Sequence, residues 1–187
     1  ALGVRCVDCV SSDGSLEAHD GAYREKDTEG NKTLTHVRAQ TRYYTLPGGV
    51  GTIGPNAFAD AEKVETIILP EGEDGIAIDP DSFQSSNVDT ILCGGKAQAE
   101  NVQAQLDAAG ITDVRAIVLQ TNSRGETYYT DERSAAVVLM AGDPATTEFD
   151  GTIQDAEGNE LSVTTPAVGA FVSRQKMTWA TPAEWLA

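Results

Sequence analysis

The chain has 187 residues and a formal net charge of −16 at pH 7, with 40% hydrophobic residues. That length suits one domain or two small ones. The acidic balance excludes a nucleic-acid or anionic-membrane binder, because both carry the same sign of charge. The longest apolar runs fall well short of the roughly 18 to 20 residues of a membrane-spanning helix, so no membrane insertion is expected within this chain.

In chain order, the first element is a hairpin. Gly21-Ala22-Tyr23 leads through Asp27-Thr28-Glu29-Gly30-Asn31 to Thr33-Leu34-Thr35-His36-Val37, which reads as strand, polar turn, strand. Leu46-Pro47 and Gly48-Gly49 follow. A repeat comes next. Ile53-Gly54-Pro55-Asn56-Ala57-Phe58 precedes Val64, Ile67 and Leu69-Pro70, and Ile78-Asp79-Pro80-Asp81-Ser82-Phe83 precedes Val88, Ile91 and Cys93. Ile53 and Ile78 lie 25 residues apart, as do Phe58 and Phe83. Such a period falls within the ~20–29 residues of leucine-rich repeats. Val168-Gly169-Ala170-Phe171 with Met177 reads as a degenerate third copy. Alternation with period two places Ile67, Leu69, Ile91 and Cys93 inward and Thr66, Ile68, Thr90 and Leu92 outward. Phe58 is expected to stack on Phe83, and Cys93 to fill a buried leucine slot.

Ala97–Ala109 lacks Pro and Gly and carries Val102, Leu106 and Ala109 on one stripe, which predicts a helix ended by Gly110. A strand is expected within Ile111–Leu119. A second hairpin runs from Gly125-Glu126-Thr127-Tyr128-Tyr129 through Asp131-Glu132-Arg133-Ser134 to Ala136–Met140. Thr181-Pro182-Ala183-Glu184 has the pattern of a helix start. The chain therefore divides into two copies of one larger module, residues 1–110 and 111–187.

These motifs resemble the BspA-like leucine-rich-repeat family of bacterial cell-surface proteins. The resemblance rests on Thr52–Phe58, on the flanking Leu46-Pro47 and Leu69-Pro70, on Gly169-Ala170-Phe171, and on the hairpin insertion around Gly21-Ala22-Tyr23. It covers residues 5 to 110 well and loosens over 111–187. The second copy departs from the pattern at Asp79-Pro80-Asp81-Ser82. The resemblance implies a mostly β fold with minor α: a short, interrupted leucine-rich-repeat solenoid with β-hairpin insertions. It also implies a non-catalytic adhesion module, secreted or displayed at a bacterial surface, that binds a protein or glycan. It carries no shared catalytic, cofactor-binding or metal-binding residues, so none is assigned.

Several constellations bear on other chemistry. Cys6-Val7-Asp8-Cys9 has half the ligand spacing of a zinc site, but no second pair completes it. His19 and His36 are the two histidines, and no G-x-S-x-G elbow accompanies them. Asp27–Asn31 and Asp155-Ala156-Glu157-Gly158-Asn159 look like calcium loops but miss the calcium-loop register, and read as turns. Glu71, Glu73 and Asp74 read as a solvated charge run. The expected partner-binding face is the outward row Thr66, Ile68, Thr90 and Leu92, where an exposed Ile68–Leu92 pair would seed a patch. Tyr43, Tyr44, Tyr128 and Tyr129 are further interface candidates. Two readings stand against adhesion. One is a structural spacer, in which Ile68 and Leu92 are buried. The other is a hydrolase built around a histidine.

Overall fold

The computed structural model describes residues 8–19, 21–70, 75–143, 145, 148–167, 170 and 178–179. It falls into two compact units, Ala1–Val118 and Leu119–Ala187. The residues expected to form a third repeat copy (Val168-Gly169, Phe171, Met177), the C-terminal helix start at Thr181, the Glu71–Asp74 run and Cys6 lie outside the described residues.

The first unit opens with an antiparallel meander. It comprises β1 (Asp8–Val10), β2 (Leu16–His19), β3 (Ala22–Lys26) and β4 (Lys32–Val37). β5 (Tyr43–Thr45), β6 (Val50–Ile53), β7 (Thr66–Ile68), β8 (Ala77–Ile78) and β9 (Thr90–Cys93) follow. Helix α1 (Lys96–Ala108) and β10 (Arg115–Val118) complete it. The strands divide between two sheets, one ordered β1-β2-β3-β4-β6-β8 and one ordered β10-β9-β7-β5. In the first sheet β4, β6 and β8 run parallel, and the second sheet is parallel throughout.

The second unit holds β11 (Gln120–Thr121), β12 (Thr127–Asp131), β13 (Ala136–Ala141), β14 (Glu148–Phe149), β15 (Thr152–Gln154), β16 (Glu160–Ser162), β17 (Thr165–Pro166) and β18 (Thr178–Trp179). They form a four-stranded sheet, β11-β12-β13-β17, and two pairs, β14-β18 and β15-β16.

The fold is β-rich with one helix among the described residues, but the expected solenoid is overturned. The strands are partitioned among five small mixed and parallel sheets, and none of these is a solenoid. The physical reason lies in what flanks the repeat. A solenoid requires each repeat to present the same surface to the next. Here the two full copies are bounded by an antiparallel meander on one side and by Gly94-Gly95 and α1 on the other. The expected division at residue 110 also differs from the compact units. β10 pairs in register with β9, Arg115 opposite Thr90 and Val118 opposite Cys93, so residues 111–118 belong to the first unit.

One core fills the first unit. Leu34, Leu46, Ile53, Phe58, Ile67, Ile91, Val102 and Leu106 are all buried in it, and Cys93 joins them. Phe58 does stack on Phe83, with ring centroids 6.1 Å apart. Tyr44 meets Phe58 edge-on at 5.6 Å, a favoured aromatic geometry. Burial pushes the Cys93 thiol up to about 12, as expected for a thiolate denied solvent. In α1 the stripe Val102–Leu106 is buried as predicted, joined by Gln98 and Ala99, while Ala109 is the C-cap and half-buried. Gly110 at φ +71° ends the helix, the left-handed position glycine favours. A second core in the second unit gathers Tyr128, Val137, Leu139, Phe149, Ile153 and Val163.

Candidate binding face and sheet edge

The predicted outward row lies in register across the parallel sheet. Thr66 pairs with Thr90 and Ile68 with Leu92. Exposure does not follow. Thr66 and Thr90 retain 3% and 4% of their surface and Leu92 none, and Ile68 alone is half-buried. The expected exposed pair Ile68–Leu92 is therefore corrected: this row is not an open patch at its centre. The reason is that central strands of parallel sheets are covered on both faces. β9 is buried at all four positions. Its unbroken Ile-Leu-Cys run, rather than an apolar–polar alternation, is the sequence signal that marks such a strand.

Exposure along the same row returns at its edge. β5 is the last strand of the sheet. Tyr43 is half-buried and Thr45 exposed, whereas Tyr44 points into the core. Of the four tyrosines considered for an interface, Tyr44, Tyr128 and Tyr129 are buried and only Tyr43 is accessible. Tyr43 and Thr45 line a cleft of about 490 Å³ with Gly21, Arg38, Gln40 and Thr41. Arg38 is exposed at its rim and is the one charged residue of the lining.

The backbone of β5 explains what this edge offers. Arg42 C=O accepts from Thr66 N–H at 3.0 Å, and Leu46 N–H donates to Ile68 C=O at 2.8 Å. Successive residues of a strand direct their amide groups to opposite sides. Tyr44 therefore serves β7, and the amide groups of Tyr43 and Thr45 face away from the sheet. Thr41 Oγ1 donates to Tyr43 C=O at 2.9 Å. Tyr43 N–H, Thr45 N–H and Thr45 C=O therefore lie on the outer side of β5, where no strand is bonded among the described residues.

The other edges are treated differently. α1 carries glutamines whose amides stand in for a neighbouring strand, since each amide offers one acceptor and two donor hydrogens. Gln105 accepts from Ile78 N–H on edge strand β8 and donates to Ile76 C=O, both at 2.8 Å. Gln103 accepts from Ala116 N–H on edge strand β10 at 3.0 Å. Gln98 accepts from Gly94 N–H at 2.8 Å and donates to Pro70 C=O. One helix thus closes an edge of each sheet, a recognised way to blunt strand pairing. The fourth edge, β1, runs directly into residues 1–7, outside the described range.

The remaining constellations resolve into local structure. His36 Nε2 lies 3.2 Å from Asp60 Oδ2 and 3.1 Å from Arg38 Nε, so both its partners are charged side chains rather than a hydroxyl. Nothing is described of the side chains of His19 and Cys9. The two D-x-E-G-N segments form the same turn. Asp27 Oδ1 accepts from Glu29 and Asn31 N–H, and Asp155 Oδ1 from Glu157 and Asn159 N–H. In each, the Asn Nδ2 donates to Asp Oδ2 at 2.8 Å. These bonds hold both carboxyls below the usual aspartate range, with the Asn side chain as the largest cause. Among the described residues no group of three or more His, Cys, Asp or Glu could hold a metal ion, and no helix is long and apolar enough to cross a membrane. No protein-family model matches the chain, and no curated protein or solved structure does either.

Proposed function

We propose that this chain is a non-catalytic binding module of a bacterial surface protein, as its resemblance to BspA-like proteins implies, and that it captures an extracellular protein or glycan. The observation that supports the reading is the asymmetry of the sheet edges. α1 uses three buried or half-buried glutamines to close backbone groups, yet among the described residues β5 is left open beside a cleft. An open edge is a liability for a folded domain, so an uncovered one beside a closed one points to use. Ligand sites are commonly concave and of about this size, ~300–1,000 Å³.

The test is capture of host extracellular-matrix proteins and glycans by the immobilised chain, compared with the double variant Tyr43→Ala, Thr45→Asp. Both positions lie outside the core, and circular dichroism checks that the variant folds. The expected outcome is a partner held by the wild type and lost by the variant. Capture by neither would overturn the reading.

The spacer role is the second reading, and one observation favours it. Thr66, Thr90 and Leu92 lack the exposure that a ladder-face site needs. Absence of any captured partner would support it.

A further inference from the structure

We propose that the open edge of β5 takes an extended segment of a partner protein as an added strand, and that a carboxylate on that segment pairs with Arg38. The proposal rests on the binding reading above and names its ligand class.

The backbone groups carry the first part. Tyr43 N–H, Thr45 N–H and Thr45 C=O lie on the outer side of edge strand β5, and Thr45 presents donor and acceptor together. A residue of an extended chain offers the complementary pair, C=O and N–H on one side. Strand addition draws affinity from main-chain bonds and specificity from alternate side chains. The cleft beside Thr45 supplies the room for those side chains.

Charge carries the second part. Among the described residues Arg38 pairs with no carboxylate, its Nε donating to His36 Nε2. Arg42, four residues on, is already paired with Glu65 at 2.7 Å. The lining of the cleft is therefore locally cationic within a chain of net charge −16. Asp60 Oδ2 lies 3.2 Å from the same His36 Nε2, behind the arginine, and Arg38 is the one charged side chain in the lining itself.

Two other occupants fit less well. A sugar ring would need a free aromatic face, and the Arg42 guanidinium already sits 5.8 Å from the Tyr43 ring centroid. A second copy of this chain would set two bodies of charge −16 against each other, which opposes self-association.

The experiment titrates fluorescein-labelled peptides of about eight residues, an extended length that spans β5, into the full chain and follows anisotropy. One peptide alternates valine and glutamate, one alternates valine and lysine, and one is the glutamate peptide with alternate backbone nitrogens methylated. The protein variants are Thr45→Pro, which removes an edge N–H where proline is tolerated, and Arg38→Glu. The glutamate peptide is expected to bind and to shift the Tyr43 and Thr45 amide resonances. Backbone methylation and Thr45→Pro should each weaken binding by at least about fivefold, the cost of one lost hydrogen bond. Arg38→Glu should reverse the preference between glutamate and lysine peptides. No binding of the glutamate peptide, or binding indifferent to both methylation and Thr45→Pro, overturns strand addition. Repeating the matrix capture with Thr45→Pro separates the two proposals. Capture that survives this variant keeps the binding module and removes the strand-addition site, and no capture by wild type removes both. A concentration-dependent doubling of mass, abolished by Thr45→Pro, would assign the edge to a second copy and overturn the proposal.

Discussion

The two repeat copies differ at single residues, and each difference has a local cause. At the second position of Ile-Gly-Pro and Ile-Asp-Pro the chain makes opposite choices, Gly54 and Asp79 standing in equivalent places. A Cβ on Gly54 would lie 3.0 Å from Leu34 O and 3.1 Å from Thr33 Cγ2, because β4 passes close by. Asp79 follows edge strand β8 and accepts from Asp81 N–H at 2.9 Å. Ser82, in the slot of Ala57, is fully buried but donates to Ile53 C=O at 2.8 Å, which removes the penalty of a buried hydroxyl. Gly54→Ala is therefore expected to destabilise the first unit by about 1–3 kcal/mol, the range for overpacking. Urea unfolding checks it, and an unchanged midpoint would mean that β4 yields without cost. Cys93 gives a second prediction at this scale. With no exposed surface and its thiol held protonated by burial, it should resist a thiol reagent in the native protein and react on unfolding. Prompt labelling of native protein would contradict the burial.

At the scale of the element, α1 is the part whose role the sequence shows least. Its existence, its ends and its stripe of Val102 and Leu106 were legible, because composition and the 3.6-residue period are local properties. The work of Gln98, Gln103 and Gln105 was not, since a glutamine on a helix looks the same whether it faces water or an orphaned strand. The D-x-E-G-N turns were legible for the opposite reason: every hydrogen bond in them closes within four residues. The outward row Thr66, Ile68, Thr90 and Leu92 was legible in register but not in exposure. Register follows from period two, whereas exposure depends on what covers the sheet, and the apolar run in β9 was the available warning. Gln105→Ala should leave Ile78 N–H and Ile76 C=O without their partner. The expected loss is about 2–4 kcal/mol, from two unsatisfied groups at roughly 1–2 kcal/mol each, with water able to reach part of the gap. The uncovered β8 edge should also raise self-association, visible by sedimentation. A variant as stable and as monomeric as wild type would show that the glutamine is not an edge plug.

For the whole molecule, the dominant quantity is the charge of −16 at pH 7 with a sequence pI of about 4.3. Self-repulsion at this charge destabilises the compact state, and protonation of ordinary exposed carboxylates relieves it as pH falls toward the pI. A second effect opposes this at lower pH. Asp13, Asp27, Asp150 and Asp155 accept hydrogen bonds from their own turns, and all four are held below the usual 3.8, Asp13 down to about 2 by the Ser11 and Ser15 hydroxyls. A carboxyl with a depressed folded pKa contributes stability that is complete above its unfolded pKa. That contribution is lost as pH falls through the folded value. The turn contributions are thus intact at pH 5 and vanish between about pH 4 and pH 2. At low ionic strength the melting temperature is expected to rise from about pH 7 to about pH 5 and then to fall below about pH 4. Half-molar salt should flatten the first limb, which is long-range repulsion, and leave the second, which is local hydrogen bonding. A melting temperature that drops between pH 7 and 5 would remove charge repulsion as a determinant of stability. One that stays level from pH 4 to pH 2 would remove the turn carboxylates. Because the four aspartates are spread over three hairpins in both units, with Asp150 and Asp155 at the base and the turn of β15-β16, replacing any one by asparagine should trim the acid limb without abolishing it.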